Sequence, residues 1–162
     1  MPLSRNVHLL FFAGLFISGQ LTLVWATGII EAQGGTVPDL MPLGTGIDSM
    51  RTVFLKLVAI DPTLYLLVLW SGDILFPLGY GGFFNTLLKP LGRFAHIPLC
   101  AMGADFLENV FATAIITIGP SRSLLIGFTI AHTIKFVGLM LTFAGLGAVT
   151  WQYLKRRFVR AV

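Results

Sequence analysis

Apolar residues dominate four stretches of the chain, and each stretch is long enough to cross a lipid bilayer as a helix. They cover about 7–30, 63–88, 96–119 and 123–150. The hydrocarbon core of a bilayer takes about 20 helical residues. We therefore predict an all-α membrane protein, a four-transmembrane-helix bundle that forms a single membrane domain over residues 1–162.

The long connection between the first two spans has two parts. Residues 31–46 contain several Gly and Pro and predict a loop. The second part, about 47–59, predicts a short helix lying in the membrane interface. Its apolar residues share one helical face, formed by Ile47, Met50, Phe54, Leu57 and Val58.

Composition supports a lipid environment. The chain is 56% hydrophobic and 11% charged, whereas soluble proteins carry about 25% charged residues. Its net charge of +4 comes from short flanks of the spans rather than from an extended patch, which argues against nucleic acid as a partner. The single cysteine, Cys100, allows no internal disulfide, no metal-type Cys/His spacing is present, and no particular cofactor is indicated.

The basic residues also predict an orientation. In a four-span arrangement one side carries Arg5, Lys89, Arg93, Lys155, Arg156, Arg157 and Arg160. The other side carries Arg51, Lys56 and Arg122 together with four acidic residues. The positive-inside rule then places both termini in the cytoplasm, and we expect the protein in the inner (plasma) membrane of a bacterium.

Four charged residues fall near the middle of the predicted spans. Asp73 lies near the midpoint of the second span, Asp105 and Glu108 near that of the third, and Lys135 near that of the fourth. Gln20 lies near the midpoint of the first span. Charges that share one depth on different helices predict a common intramembrane site.

Helical spacing refines this site. Asp105, Glu108 and Asn109 share one face, as do His132 and Lys135. Asp73, Pro77 and Tyr80 form a stripe on the second span. Pro77 has no N–H for the carbonyl of Asp73, so we expect a kink there.

Three carboxylates opposite one lysine leave a surplus of negative charge. A low-dielectric interior does not hold unpaired charge, which predicts that a carboxylate is protonated or that a cation binds. On insertion scales the two acids of the third span cost roughly 5–7 kcal/mol, against about 2–5 kcal/mol from its large apolar residues.

These patterns support three hypotheses. In the first, a midplane polar cavity binds a small or lipidic ligand, hydrophobic or cationic, or relays protons. Asp73, Asp105 and Glu108 are then the acid–base or cation-binding groups and Lys135 is their counter-ion. Asn109, His132, Tyr80 and Gln20 complete the ligand site. In the second, the same carboxylates act as acid and base in a membrane enzyme with a lipid or isoprenoid substrate. In the third, the charges only join the helices of an accessory subunit of a membrane complex.

Other interpretations use fewer residues. A Cys100–His96 nucleophile, a haem between His8 and His96, and an Asp73–Asp105 aspartyl pair are compatible with the spacing. A thin bundle of four helices also suggests a homodimer.

The stripes "DILFPLGY" at 73–80 and "ADFLEN" at 104–109, followed by a lysine in the last span, resemble a group of small uncharacterised bacterial four-helix inner-membrane proteins. The resemblance covers most of the chain and implies the four-helix architecture. A weaker likeness is to the emopamil-binding-protein-like superfamily of sterol isomerases, which are small membrane bundles with acidic residues and a histidine in a midplane cavity. That likeness implies lipid chemistry but transfers no residue roles.

Overall fold

The computed structural model describes residues 4–159, with side chains as far as residue 156. The side chain of Arg157 and all of Arg160, which the orientation prediction uses, lie outside this description. The described chain is helical and contains no strand. Its six α-helices are α1 (Arg5–Ala32), α2 (Ile47–Ile60), α3 (Pro62–Leu69), α4 (Gly72–Leu88), α5 (Ile97–Ile118) and α6 (Arg122–Val159).

Three helical stretches of the described chain are long and apolar enough to cross a membrane. They are Arg5–Ala32, Pro62–Ile118 and Arg122–Arg156. The middle stretch is divided into α3, α4 and α5. The all-helical fold predicted from the sequence is therefore confirmed. Helices α1 and α5 begin and end close to the predicted boundaries, whereas α6 begins as predicted but continues nine residues beyond the predicted end, to Val159.

The long helices pack in antiparallel pairs, α1 with α4, α4 with α5, and α5 with α6. The turn between α4 and α5 reverses the chain at Gly92, whose φ of 60° favours glycine. Asn85 of α4 donates a hydrogen bond to the carbonyl of Ala95 across this turn, at 2.7 Å. Helices α1 and α6 lie at the two ends of this series and do not pack closely against each other.

The predicted second span is broken, but not at Pro77. Helix α4 continues through Pro77, and the interruption lies about two turns earlier, at Trp70 and Ser71. The backbone break is tolerated because the last carbonyl groups of α3 accept hydrogen bonds from side chains. The Ser71 hydroxyl bonds to the carbonyl of Leu67 at 2.6 Å, and the Asn109 amide reaches that of Leu69 at 3.4 Å.

Helix α2 matches the short helix predicted at about 47–59. It buries Met50, Phe54 and Leu57 in the main apolar core, against residues of α3, α5 and α6. Its partner side chains include Phe128, whose ring meets that of Phe54 edge to face at 5.1 Å. The apolar face therefore packs on the bundle.

Glycines bring α1 and α4 into close contact. A side chain at Gly19 would overlap the backbone of Phe76, and one at Gly79 would overlap the backbone of Phe16. By contrast, a Cβ at Gly14 would meet nothing within 4 Å. The close contact with α4 therefore uses the face of α1 that carries Phe16 and Gly19.

This contact predicts opposite effects for two equivalent substitutions. Gly79→Ala should lower the free energy of unfolding by about 1–3 kcal/mol, because α1 and α4 must separate to admit the methyl group. Gly14→Ala is the matched control, and it should be neutral or stabilising by up to about 1 kcal/mol through helix propensity alone. Thermal and denaturant unfolding in detergent micelles measures both, and equal effects would contradict the close packing at Gly79.

Candidate functional site

Lys135 joins the charged residues of α5 and α6. Its Nζ lies 3.2 Å from Asp105 Oδ1 and 2.5 Å from Glu108 Oε2. All three side chains are buried. Asp105 and Glu108 are presented together because they lie one helical turn apart, as their spacing predicts. We call Asp105, Glu108, His132 and Lys135 the ion-pair cluster.

His132 and Glu108 hold a proton between them. The Nε2 atom of His132 lies 2.9 Å from the Met41 carbonyl, which can only accept, so Nε2 must carry a hydrogen. Its Nδ1 atom lies 2.8 Å from Glu108 Oε1. Two bare acceptors would repel at that distance, so one proton lies on Nδ1 or on the carboxyl group. The rings of Phe128 and Phe136 flank the imidazole.

Helix α4 adds a donor and an unpaired acceptor to the cluster. The Tyr80 hydroxyl donates to Asp105 Oδ2 at 3.1 Å. Asp73 is buried, with 4% of its surface exposed, and within residues 4–159 its Oδ2 has no hydrogen-bond partner. Unpaired buried carboxylate oxygens are rare because they lose hydration without compensation. Asp73 therefore offers an acceptor that a ligand with a hydrogen-bond donor could satisfy.

A cavity of about 560 Å³ lies beside these residues, bounded by α1, α4, α6 and the loop after α1. Its charged lining comprises Glu31, Asp39, Asp73, Asp105 and Lys135. Its other walls are mainly apolar, with Leu23, Val24, Val37, Leu40, Phe76, Phe136 and Leu139. The cavity lies where α1 and α6 fail to pack together, and it includes the well-exposed side chains of Val24 and Leu40. It therefore opens sideways between these two helices.

The predicted site residues fall into two groups. Asp73, Asp105, Lys135 and Gln20 line the cavity. Glu108, Asn109, His132 and Tyr80 lie behind this wall, where they bond to other protein groups. Within the described chain, Asn109 bonds to the end of α3, which makes it a support for the helix break.

The loop after α1 contributes groups that the sequence analysis did not identify. Asp39 lines the cavity and accepts from the Tyr65 hydroxyl, which lies 3.3 Å from both carboxylate oxygens. The Met41 carbonyl completes the bonding of His132. One feature of the sequence indicated the position of Asp39, namely the apolar residues on both sides of it in "VPDLM". Apolar residues in a loop suggest that the loop packs against the protein interior. Val37 and Pro38 are indeed buried.

Asp39 titrates near neutrality. Burial raises its pKa from 3.8 to about 7, and the neighbouring charge of Glu108 acts in the same direction. Lys135 and the Tyr65 hydroxyl oppose this rise in pKa. Asp39 is therefore the cavity-lining group outside the long helices whose charge changes in the physiological range.

The cavity wall carries a net negative charge when its carboxyl groups are ionised. Lys135 offsets Asp105, and the shared proton offsets Glu108. In the described chain no Lys, Arg or His side chain lies within 4 Å of Asp39 or Asp73 as an ion-pair partner. Three carboxyl groups of the lining, Glu31, Asp39 and Asp73, therefore have no ion-pair partner among the described residues. Of these, Asp73 belongs to the surplus predicted from the sequence.

Metal chemistry receives no support from the described residues, since none of their His, Cys, Asp and Glu side chains form a group of three or more that could hold a metal ion. Cys100 is exposed and lies apart from the cluster. No protein-family model, curated protein or solved structure matches this chain. The functional argument therefore depends on the geometry of the cavity.

The raised pKa of Asp39 predicts a pH-dependent stability. A carboxyl group whose pKa is higher in the folded than in the unfolded state favours folding while it is protonated. This contribution is complete below pH 3.8, the ordinary pKa of the group, and it is lost as the pH rises through about 7. Asp39→Asn cannot ionise, so the stability of the parent should fall relative to this variant between about pH 4 and 7. Thermal unfolding in micelles across this range measures the difference. The exposed acid variant Asp48→Asn is the control, and a parallel profile for parent and Asp39→Asn would contradict the assignment.

The ion-pair cluster predicts non-additive substitutions. Lys135→Met should cost about 3–5 kcal/mol of unfolding free energy, because it leaves Asp105 and Glu108 without their shared cation. The triple variant Lys135→Met, Asp105→Asn, Glu108→Gln should regain much of this loss. Denaturant unfolding provides the measurement, with Lys155→Met as an exposed control. A triple variant less stable than Lys135→Met would rule out charge compensation as the reason.

Proposed function

We propose that this chain is an integral membrane protein with four crossings, formed by α1, by α3 with α4, by α5 and by α6. The antiparallel packing of α4 on α5 supports two crossings by the middle apolar stretch. The basic flanks support cytoplasmic termini and location in a bacterial inner membrane. In this arrangement α2 lies at the outer face, and the cavity extends from mid-membrane toward that face.

The cavity binds an amphiphile whose head group is cationic and donates hydrogen bonds. The observation that carries this function is Asp73, which lines the 560 Å³ cavity and whose buried Oδ2 has no hydrogen-bond partner in the described part of the chain. A protonated amine would supply both the missing donor and the missing positive charge. Asp39 faces the same space and adds a second carboxyl group.

The apolar walls determine the rest of the ligand. Leu23 and Val24 of α1 face the cavity together with Leu139 of α6, so an alkyl or polycyclic tail is accommodated beside the carboxyl groups. The opening between α1 and α6 admits such a ligand from the bilayer without passage through water. This lateral opening favours a lipidic ligand over a water-filled path for protons.

Acid–base catalysis on a lipid is the second candidate function. Asp105 and Asp73 line one cavity in different environments, since Asp105 contacts Lys135 and Tyr80 whereas Asp73 Oδ2 has no partner. Such divergence is typical of carboxyl pairs that act as acid and base. The two candidates differ in that an enzyme alters its ligand, which mass spectrometry of the recovered lipid detects.

Binding of simple amphiphiles tests the proposal. The parent protein, in uncharged detergent, should bind dodecylamine at least about tenfold more tightly than dodecanol, because only the amine forms charge-assisted hydrogen bonds. Asp73→Asn should abolish this preference. Gly28→Phe should weaken both probes, because Gly28 borders the cavity and a side chain there meets open space.

Two comparisons make the test specific. Asp48→Asn removes an exposed carboxylate outside the cavity and should bind like the parent. Circular dichroism and thermal unfolding show whether each variant remains folded. The proposal fails if folded Asp73→Asn retains the full preference for the amine, or if Gly28→Phe leaves the binding of both probes unchanged.

A further inference from the structure

A second, polar pocket lies far along the bundle from the ion-pair cluster, where α2 meets the turn between α5 and α6. It has a volume of about 300 Å³ and is lined by Ile47, Asp48, Arg51, Pro120, Arg122 and Leu125. None of these residues takes part in the central cavity. The pocket is therefore a separate site with its own chemistry.

Two guanidinium groups determine its charge. In the described chain neither Arg51 nor Arg122 has a carboxylate within 4 Å of its side-chain nitrogens, and neither donates a side-chain hydrogen bond. Asp48 supplies the one negative charge in the lining. With all three ionised, the pocket carries a net charge of +1. A ligand with a single negative charge would neutralise it.

The backbone adds to the positive potential. Ile47 and Arg122 are the first residues of α2 and α6, so two helix N-termini border the same pocket. Helix N-termini attract anions through their free N–H groups. Gly46, the N-cap residue of α2, has no side chain that could accept from the free N–H groups. At the start of α6 the Ser121 hydroxyl accepts from the Leu124 N–H at 3.3 Å. The arginines remain the principal anion-binding groups.

We propose that this pocket binds the phosphodiester group of a membrane phospholipid. Guanidinium groups match phosphate oxygens in pairs of hydrogen bonds, and a phosphodiester carries the one negative charge that the pocket requires. Ile47, Pro120 and Leu125 supply an apolar border beside the arginines for the glycerol and the first carbons of the acyl chains. The site assumes the membrane location proposed above but is independent of the ligand in the central cavity.

Lipid titration followed by native mass spectrometry tests this assignment. Delipidated parent protein should take up one phosphatidylglycerol in a saturable step, and a diacyl galactolipid with the same chains should bind at least about tenfold more weakly. Arg51→Gln and Arg122→Gln should each reduce phospholipid affinity about tenfold or more, since each removes charge-assisted hydrogen bonds. Arg51→Lys should reduce affinity less than Arg51→Gln, because it keeps the charge.

Lys56→Gln is the matched control, because it removes one exposed positive charge from α2 outside the pocket. It should bind phospholipid like the parent, as should Asp73→Asn, which separates this site from the central cavity. An equal loss in Lys56→Gln, equal binding of the galactolipid, or parent-like binding by both arginine→Gln variants would overturn the proposal. Displacement of the phospholipid by millimolar inorganic phosphate would identify a free-anion site and overturn the lipid assignment.

Discussion

The contact of Lys135 with two carboxylates is the interaction on which the arrangement of this protein depends. A buried ammonium group is tolerated only with close counter-charges, and Asp105 and Glu108 supply them from α5. This requirement fixes which face of α6 packs against α5, and it also fixes the position of one helix relative to the other along the bundle axis. His132, one turn before Lys135, then necessarily meets Glu108, and its other nitrogen holds the loop after α1 through the Met41 carbonyl.

The same constraint shapes the cavity. Helix α4 reaches the ion-pair cluster through Tyr80, and α1 follows α4 because their glycines allow the backbones to touch. Helix α1 is thereby held by α4 and is not drawn against α6. The resulting gap has α1 on one side and α6 on the other. Its lining includes Asp39 and Asp73, which have no ion-pair partner among the described residues. Packing and charge together thus define a cavity in which apolar walls surround a group of carboxyl side chains.

The loop between α1 and α2 connects the interior with the surface. It carries the partly buried Asp39, and because the pKa of this carboxyl group is raised to about 7, the charge of the cavity is sensitive to pH. Its far end leads into α2, which covers the main apolar core and borders the arginine pocket. The central cavity and the arginine pocket are consequently bordered by neighbouring parts of the chain.

The sequence by itself determined the helices and the members of the ion-pair cluster. Apolar segments and helical spacing are local properties, so they identified α1, α2, α5 and α6 and placed Asp105 with Glu108 and His132 with Lys135. The break before Gly72, the contacts at Gly19 and Gly79, and the inward course of Asp39 and Met41 were decided by the tertiary structure. Each depends on a partner distant in the chain, such as Asn109 for the end of α3 or His132 for Met41. Local patterns contain no information on these partners, and for that reason the cavity wall emerged only once the helices were assembled.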